Sequence, residues 1–284
     1  MRIAVIVTTY NRPDALTAVL DGYRSQRDRD FELIAADDGS NEETRHVIED
    51  CRRRGDLRLN HVWQEDRGFR AAAIRNRAVA STSADYIIFS DGDCIPRPEF
   101  VSQHRRIAER GWFVAGNRIL LSEGFTEEVL TKSMPIHTWN LFHWFLAFLR
   151  KDINRWWPMV PLRFDSPLRK MTASVWRGVM TCNLSVWRDD LVRINGLDEE
   201  YVGWGLEDSD LVIRLIRSGV RHKTGRFAAP VLHLWHRDND RVGFTRNQDR
   251  LDSLLRSDRV KALQGVSQYS ATAADATGSM KQEE

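Results

Sequence analysis

Three short apolar runs, each ended by a cluster of polar turn residues, constrain the fold of this chain most. The runs lie at residues 3–7, 31–36 and 86–89, and segments with helical apolar spacing, such as residues 14–23, lie between them. Short runs rich in β-branched residues are typical of strands buried on both faces of a parallel sheet. Their alternation with helices predicts an α/β fold with a mostly parallel, doubly wound sheet.

The polar clusters that end these runs, residues 8–13, 37–41 and 90–94, are the first candidates for a binding site. In parallel sheets, ligands bind in the crevice outside the carboxyl ends of the strands. We therefore expect the three clusters to converge on one crevice.

The third cluster carries two carboxylates, Asp91 and Asp93, separated by one residue. A divalent cation bound to a diphosphate requires hard oxygen ligands on a fixed backbone, and a turn at a strand end supplies them. An Asp-x-Asp pattern alone is common in solvated turns. Its position after a buried strand favours a metal site, with Mn²⁺ or Mg²⁺ as the predicted cofactor.

A second acidic segment, Gly203-Trp-Gly-Leu-Glu-Asp-Ser-Asp210, leads into an amphipathic helix. Acids at a helix N-terminus are stabilised by the dipole and by capping, which explains one of them. Capping does not explain Trp204 on a glycine-flanked loop directly before Glu207 and Asp208. That combination is suited to stacking a sugar face and deprotonating a hydroxyl.

Charge and cysteine content exclude several classes of protein. The formal net charge is +2, from 42 Lys+Arg against 40 Asp+Glu, so we expect no nucleic-acid partner. Three cysteines without paired spacing favour a reducing cytoplasm over a disulfide framework or a zinc site. No stretch reaches the roughly 18 apolar residues that span a bilayer, so we expect no membrane crossing.

Together the motifs resemble those of glycosyltransferase family 2, which has a GT-A fold, with the galactosyltransferase-type C-terminal region of β-1,4-galactosyltransferases and bacterial chondroitin-type polymerases. The segments that carry the resemblance are Val7-Thr-Thr-Tyr-Asn-Arg12, Asp37-Asp-Gly-Ser40, Gly68-Phe-Arg-Ala-Ala-Ala-Ile-Arg-Asn76, Asp91-Gly-Asp93, Gly203-Trp-Gly-Leu-Glu-Asp208 and His233-Leu-Trp-His236. The resemblance implies inverting transfer of a hexose or N-acetylhexosamine from a UDP-sugar to a glycan or lipid-linked glycan. Bacterial surface polysaccharide or lipopolysaccharide synthesis is the implied context.

The resemblance also implies roles for residues of this sequence. Asp208 would be the general base and Glu207 the second catalytic carboxylate, and the metal ligands would be Asp93, Asp91 and His233. His236 is the alternative histidine, and His233 is favoured because it directly follows the apolar residues 231–232. The implied donor- and acceptor-binding residues are Thr9, Tyr10, Arg12, Asp38, Arg70, Arg75, Asn76, Asp91, Trp204 and Gly205. Leu206 stands where relatives often have glycine, so the acceptor is not carried over.

We expect one GT-A-type catalytic domain over residues 1–264, followed by a disordered tail at 265–284. Its parts would be a nucleotide-sugar-binding half at 1–121, an aromatic and basic insertion at 122–175, and an acceptor-binding half at 176–264. Within the insertion, residues 139–150 either form an ordinary core helix or lie in a membrane interface on the cytoplasmic side. The cations of the second alternative are Arg150, Lys151, Arg155 and Arg163.

Two other functions are compatible with parts of this pattern. A sugar nucleotidyltransferase would share the sheet and the metal, but it ordinarily has a basic, glycine-rich N-terminal loop that residues 8–13 do not supply. A non-catalytic glycan-binding module would use Trp204 without requiring both Asp91 and Asp93.

Overall fold

A computed structural model of the chain describes residues 1–161, 165–237 and 243–269. The strands, numbered in chain order, are β1 (Ile3–Thr9), β2 (Phe31–Asp37), β3 (Leu59–Trp63), β4 (Tyr86–Asp91), β5 (Cys94–Pro96), β6 (Trp112–Ala115), β7 (Arg118–Leu120), β8 (Asn183–Trp187), β9 (Arg221–Thr224) and β10 (Val231–His233). The helices are α1 (Pro13–Arg24), α2 (Glu42–Arg54), α3 (Ala71–Ala80), α4 (Phe100–Ile107), α5 (Glu123–Thr131), α6 (Leu141–Leu149), α7 (Arg188–Arg193), α8 (Glu207–Arg217) and α9 (Phe244–Leu255).

The central sheet has seven strands in the order β3-β2-β1-β4-β8-β6-β9. Strands β1 to β4 pair in parallel, as do β6 and β9, whereas β8 runs antiparallel to both of its neighbours. The predicted α/β class with a mostly parallel sheet is therefore confirmed. The antiparallel strand β8 belongs to the predicted acceptor-binding half, after the insertion at residues 122–175.

Two hydrophobic cores cover the two faces of this sheet. Along β1, Val5 and Val7 belong to the core shared with α1 and α2, while Ala4 and Ile6 belong to the core shared with α3 and α8. Successive side chains of a strand point to opposite faces, so a strand buried on both sides must be apolar throughout. This explains why the first runs of the sequence are continuous rather than alternating.

A second, three-stranded sheet in the order β5-β10-β7 lies beside the first. Strand β5 follows the Asp-Gly-Asp turn directly, and it pairs antiparallel with β10 so that Cys94 lies opposite His233. The three-residue strands β5 and β7 carry too little periodicity to be predicted from sequence. This small sheet nevertheless decides which histidines reach the acidic turn.

The aromatic insertion forms a surface helix that is apolar on both sides. Trp144 and Ala147 of α6 are fully buried, so the core interpretation is correct for that face. The opposite face leaves Phe142 64% and Leu149 59% exposed. Arg163, one of the cations of the membrane alternative, lies outside the described residues. In the parts of the chain that the structure covers, no helix has the length and apolar character needed to cross a bilayer.

The C-terminal boundary differs from the predicted residue 264. Val266 is 3% exposed within the core on the α3 and α8 side, and the hydroxyl of Tyr269 donates a 2.7 Å hydrogen bond to Glu199. The packed chain therefore extends through residue 269. The rest of the predicted tail, residues 270–284, lies outside the described residues.

Candidate active site

The polar ends of β1, β2 and β4 meet at one edge of the central sheet, as the sequence predicts. Thr8 lies opposite Asp91, Thr9 lies opposite Asp37, and the backbone N–H of Gly92 donates to the carbonyl of Thr8 at 2.7 Å. A Cβ on Gly92 would lie 2.9 Å from Oγ1 of Thr9. Glycine between the two aspartates is therefore required by the close approach of the neighbouring strand.

One wall of the crevice is organised around Asp38. Its carboxylate accepts hydrogen bonds from the side-chain amide of Gln64 and, at 2.7 Å, from the backbone N–H of Arg70. Burial raises the pKa of Asp38, although these hydrogen bonds oppose the rise. Tyr10 lies half-exposed at the rim of the crevice, and its hydroxyl donates a 2.9 Å hydrogen bond to Asp66. Arg12, also at the rim, forms an ion pair with Asp14.

Arg75 joins the two acidic motifs, which lie more than one hundred residues apart in sequence. Its buried guanidinium donates to Asp91 at 2.9 Å and to Glu207 at 3.5 Å, and it lies 3.9 Å from Asp208. Its Nε also donates to Oγ1 of Thr8 at 3.0 Å. The Asp-Gly-Asp turn and the start of α8 thus lie close together in the structure, with one cation between the acids.

Two of the carboxylates that lie close together around Arg75 have raised pKa values. Burial raises the pKa of Asp91 to about 6, against the attraction of Arg75 and with repulsion from Asp93 and Asp208. Burial and repulsion from Asp208 raise the pKa of Glu207 to about 7. Oε2 of Glu207 is buried and has no hydrogen-bond partner in the described part of the chain. Groups perturbed in this way, in a crevice, are candidates for chemistry.

Asp208 lies in the first turn of α8, directly after the loop that carries Trp204 and Gly205. Oδ1 of Asp208 accepts a 2.6 Å hydrogen bond from the hydroxyl of Thr181. The Trp204 ring stacks on Phe244 with centroids 6.0 Å apart and planes 28° apart, and a Cβ on Gly205 would lie 3.4 Å from the Phe244 ring. No sequence pattern indicates Thr181 or Phe244, because each contacts the acidic segment only through the tertiary fold.

The candidate metal ligands come from the acidic turn and the small sheet. Oδ2 of Asp93 lies 3.8 Å from Nε2 of His233 and 3.4 Å from Nε2 of His236, so both histidines reach Asp93. Nδ1 of His236 donates to the carbonyl of Arg237 at 2.7 Å, and this hydrogen bond fixes the orientation of the ring whose Nε2 lies near Asp93. Burial lowers the pKa of His233, which favours the neutral ring that binds metals. A carboxylate together with an imidazole nitrogen fits Mn²⁺ or another divalent cation.

Two of the implied donor-binding residues have other contacts. The amide of Asn76 is fully buried, donates to the Leu197 carbonyl at 2.9 Å and to Glu199 at 2.8 Å, and accepts from the Leu197 N–H. The structure therefore does not bring Asn76 to the crevice, because its hydrogen bonds hold the loop after α7. The guanidinium of Arg70 donates to the Glu65 carbonyl at 2.6 Å, and only its backbone N–H reaches Asp38.

Comparison with known families covers most of the chain. A family profile described as glycosyl transferase family 2 matches residues 4–164. A second profile, described as N-terminal domain of galactosyltransferase, matches residues 169–237. The first contains β1 to β5 with the Asp-Gly-Asp turn, and the second contains Thr181, the acidic start of α8 and both histidines.

Curated relatives include a validoxylamine A glucosyltransferase of Streptomyces hygroscopicus subsp. jinggangensis, 30% identical over 227 residues, or 77% of this chain and 52% of that protein. A chondroitin synthase of Escherichia coli is 24% identical over 238 residues, or 76% of this chain and 32% of that protein. The chain thus spans about half the length, or less, of these relatives.

Among solved structures, the mannosyltransferase PcManGT of Pyrobaculum calidifontis, in complex with GDP-Man and Mn²⁺, aligns over 100% of this chain and 76% of its own, with a TM-score of 0.62 and 16% identity. S. aureus TarS 1-349 in complex with UDP-GlcNAc aligns over 95% of this chain and 69% of its own, with a TM-score of 0.54 and 14% identity. At these identities the comparison supports the fold, which agrees with the α/β architecture described above.

Proposed function

This chain belongs to glycosyl transferase family 2, and from that premise we propose that it is a metal-dependent, inverting hexosyltransferase. It would move a hexose or N-acetylhexosamine from a UDP-sugar to a hydroxyl of a glycan or lipid-linked glycan, in bacterial surface polysaccharide or lipopolysaccharide synthesis. The observation that carries the proposal is the meeting of Asp91, Glu207 and Asp208 around the buried guanidinium of Arg75. A purely structural ion pair requires one carboxylate rather than three.

The donor would lie along the carboxyl ends of β1, β2 and β4, with its nucleoside toward Asp38 and Tyr10. The raised pKa of buried Asp38 and the exposed ring of Tyr10 suit contacts with a base and a ribose. PcManGT binds GDP-Man and TarS binds UDP-GlcNAc, which supports a nucleotide-sugar donor for this chain. UDP is proposed over GDP on the family resemblance of the C-terminal region.

Asp93, with His233 or His236, would hold Mn²⁺ or Mg²⁺ near the donor's diphosphate. A bound divalent cation supplies charge neutralisation for the departing nucleoside diphosphate. We propose His236 as the imidazole ligand, because its Nε2 lies 3.4 Å from Oδ2 of Asp93, against 3.8 Å for His233, and its Nδ1 hydrogen bond orients the ring. The sequence, by contrast, favours His233, because that histidine directly follows the apolar residues 231–232.

Asp208 would accept the proton of the acceptor hydroxyl as that oxygen attacks the anomeric carbon from the side opposite the leaving group. Arg75 holds Asp91, Glu207 and Asp208 close together against their mutual repulsion. Oε2 of Glu207, which has no hydrogen-bond partner among the residues that the structure covers, would bind a sugar hydroxyl, and the ring of Trp204 would stack on the acceptor. Direct attack inverts the anomeric configuration and requires no covalent enzyme intermediate.

Nucleotide sugars are expected to stabilise the chain only when Mn²⁺ is present. A ligand at one hundred times its dissociation constant raises the free energy of unfolding by roughly 2.7 kcal/mol, which corresponds to a melting temperature several degrees higher. A thermal-shift screen of UDP- and GDP-sugars, with and without Mn²⁺, measures this and identifies the donor. Stabilisation by glycans alone would indicate a binding module, and formation of a nucleotide sugar from a sugar phosphate and a nucleoside triphosphate would indicate a nucleotidyltransferase.

We further propose that the chain acts at the cytoplasmic face of the membrane through the exposed side of α6. The apolar patch on this helix comprises Phe142, Phe145, Leu146 and Leu149, and the ring of Phe145 contacts Trp156 at 5.4 Å. Residues 150–155, which follow the helix directly, carry three cations and one acid. Exposed apolar surface beside cations is the combination that binds anionic lipid interfaces.

Removal of the patch is expected to weaken binding to anionic vesicles by at least tenfold, since each buried aromatic or leucine side chain contributes about 1.5–3 kcal/mol. The test is co-sedimentation of the Phe142→Ser/Leu149→Ser double variant with vesicles of anionic or zwitterionic phospholipid. Because Trp144 is in the core, its substitution would report on folding rather than binding. The matched control is Leu168→Ser/Met171→Ser, which alters two exposed apolar residues elsewhere. Absence of vesicle binding by the unaltered chain, or equal loss in both variants, would reject membrane contact.

A further inference from the structure

Thr181 contacts the acid at the start of α8, and none of the motifs of the chain includes it. Its hydroxyl donates a 2.6 Å hydrogen bond to Oδ1 of Asp208, and the residue is 1% exposed. Bonds from a hydroxyl to a carboxylate at this length are among the stronger hydrogen bonds in proteins. A buried bond of this kind restricts rotation of the Asp208 carboxylate.

The backbone that carries Thr181 is held firmly in place. It is separated by one residue from β8, whose first residue, Asn183, lies opposite Ser90 near the end of β4. The Asn183 amide donates to the carbonyls of Ala229 and Asn117, and its oxygen is bonded to His104. Thr181 therefore presents its hydroxyl from a fixed position next to the Asp-Gly-Asp turn.

The two oxygens of Asp208 have different surroundings. Oδ1 receives the Thr181 hydrogen bond and lies 3.9 Å from the Arg75 guanidinium. Oδ2 makes no hydrogen bond to any residue that the structure describes. The side chain is partly exposed to the crevice, so Oδ2 is the oxygen that an incoming hydroxyl can reach.

We propose that Thr181 is a positioning residue that orients the carboxylate of Asp208 so that Oδ2 receives the acceptor proton; this inference rests on the proposed role of Asp208 as the base. In the transfer, the acceptor oxygen forms the bond to the anomeric carbon. The bond from that carbon to the diphosphate breaks, its electron pair leaves with the diphosphate, and the hydroxyl proton passes to Oδ2. A hydroxyl suits this task because it is a neutral donor that orients the base without adding positive charge.

The test compares Thr181→Ser with Thr181→Ala, which differ only in the hydroxyl. We expect kcat of the alanine variant to fall by about 10–100-fold, the range that a small misplacement of a reacting group produces. The serine variant should retain most of the activity, and KM for the donor should change little in both, because donor contacts are untouched. Thr82→Val is the matched control, since Thr82 is also a buried threonine that donates to a carboxylate, Glu32, before the start of β4.

Circular dichroism, thermal unfolding and a donor titration on each variant separate loss of positioning from loss of folding. Equal kcat for the serine and alanine variants would overturn the proposal, whether both are active or both impaired. If this occurs while Asp208→Asn is inactive, only the role of Thr181 fails and the base stands. If Asp208→Asn itself stays active, the proposed mechanism fails independently of Thr181.

Discussion

Asp208→Asn is expected to reduce kcat by on the order of 10²–10⁴-fold, the contribution of a general base, while leaving donor affinity nearly unchanged. The amide keeps the size of the side chain and can still accept the Thr181 hydrogen bond, but it cannot take a proton. Steady-state kinetics with a thermal-shift titration of the donor measure both quantities. The loss should appear in kcat, because the proton moves only in the transition state.

The control for this variant is Asp189→Asn, which removes an exposed acid from the first turn of another helix, α7. It should keep near-normal activity, since Asp189 pairs only with exposed Arg110 in the described part of the chain. Asp208→Asn with more than about half of the normal kcat would show that the base is wrongly assigned, since a general base contributes at least about 10²-fold.

Asp93→Asn is expected to abolish Mn²⁺ binding in the micromolar range and to lower activity by at least about 10²-fold, because the charge on the departing diphosphate would no longer be neutralised. Titration of Mn²⁺ by electron paramagnetic resonance, without any donor, reports binding separately from turnover. Chelation of the unaltered chain should reproduce the loss of activity, and added Mn²⁺ should restore it. Retention of Mn²⁺ affinity by Asp93→Asn would contradict the proposed site.

The same titration decides between the two histidines that reach Asp93. His236→Ala should weaken Mn²⁺ binding by about 10–100-fold, the typical effect of disturbing a metal ligand or its support, and His233→Ala should weaken it less. A larger loss of Mn²⁺ affinity in His233→Ala than in His236→Ala would show that His233 is the ligand, as the sequence pattern favours. Asp50→Asn, on the exposed side of α2, is the control for a change of one negative charge.

Sequence patterns predict a helix or strand well where the burial of that segment imposes a single spacing of apolar residues. Runs such as residues 3–7 are continuous because both faces of the sheet are covered, and the parallel pairing of β1, β2 and β4 follows from the intervening helices. Position along such a sheet is also predictable, so the meeting of Thr9, Asp38 and Asp91 at one edge could be expected. Short elements such as β5 and β9 carry no comparable pattern, because three or four residues do not define a period.

The aromatic insertion marks the limit of such patterns. A helix that is apolar all round gives no indication of which side meets the core, so Trp144 and Phe142 look equivalent in the sequence. In the structure Trp144 is buried in the core that α1 and α2 share, while Phe142 is exposed. Arg75 and Asn76 are a similar case, since neighbours on a helix point about 100° apart and only Arg75 faces the crevice.

The sequence by itself determined the fold class, the family resemblance and the two acidic motifs, because each depends on residues close together along the chain. Only the tertiary structure decided that Arg75 lies between those motifs, that Thr181 holds Asp208, and that both His233 and His236 reach Asp93. These contacts join segments separated by tens of residues or more. Their geometry is set by sheet order and strand register, which no local spacing encodes.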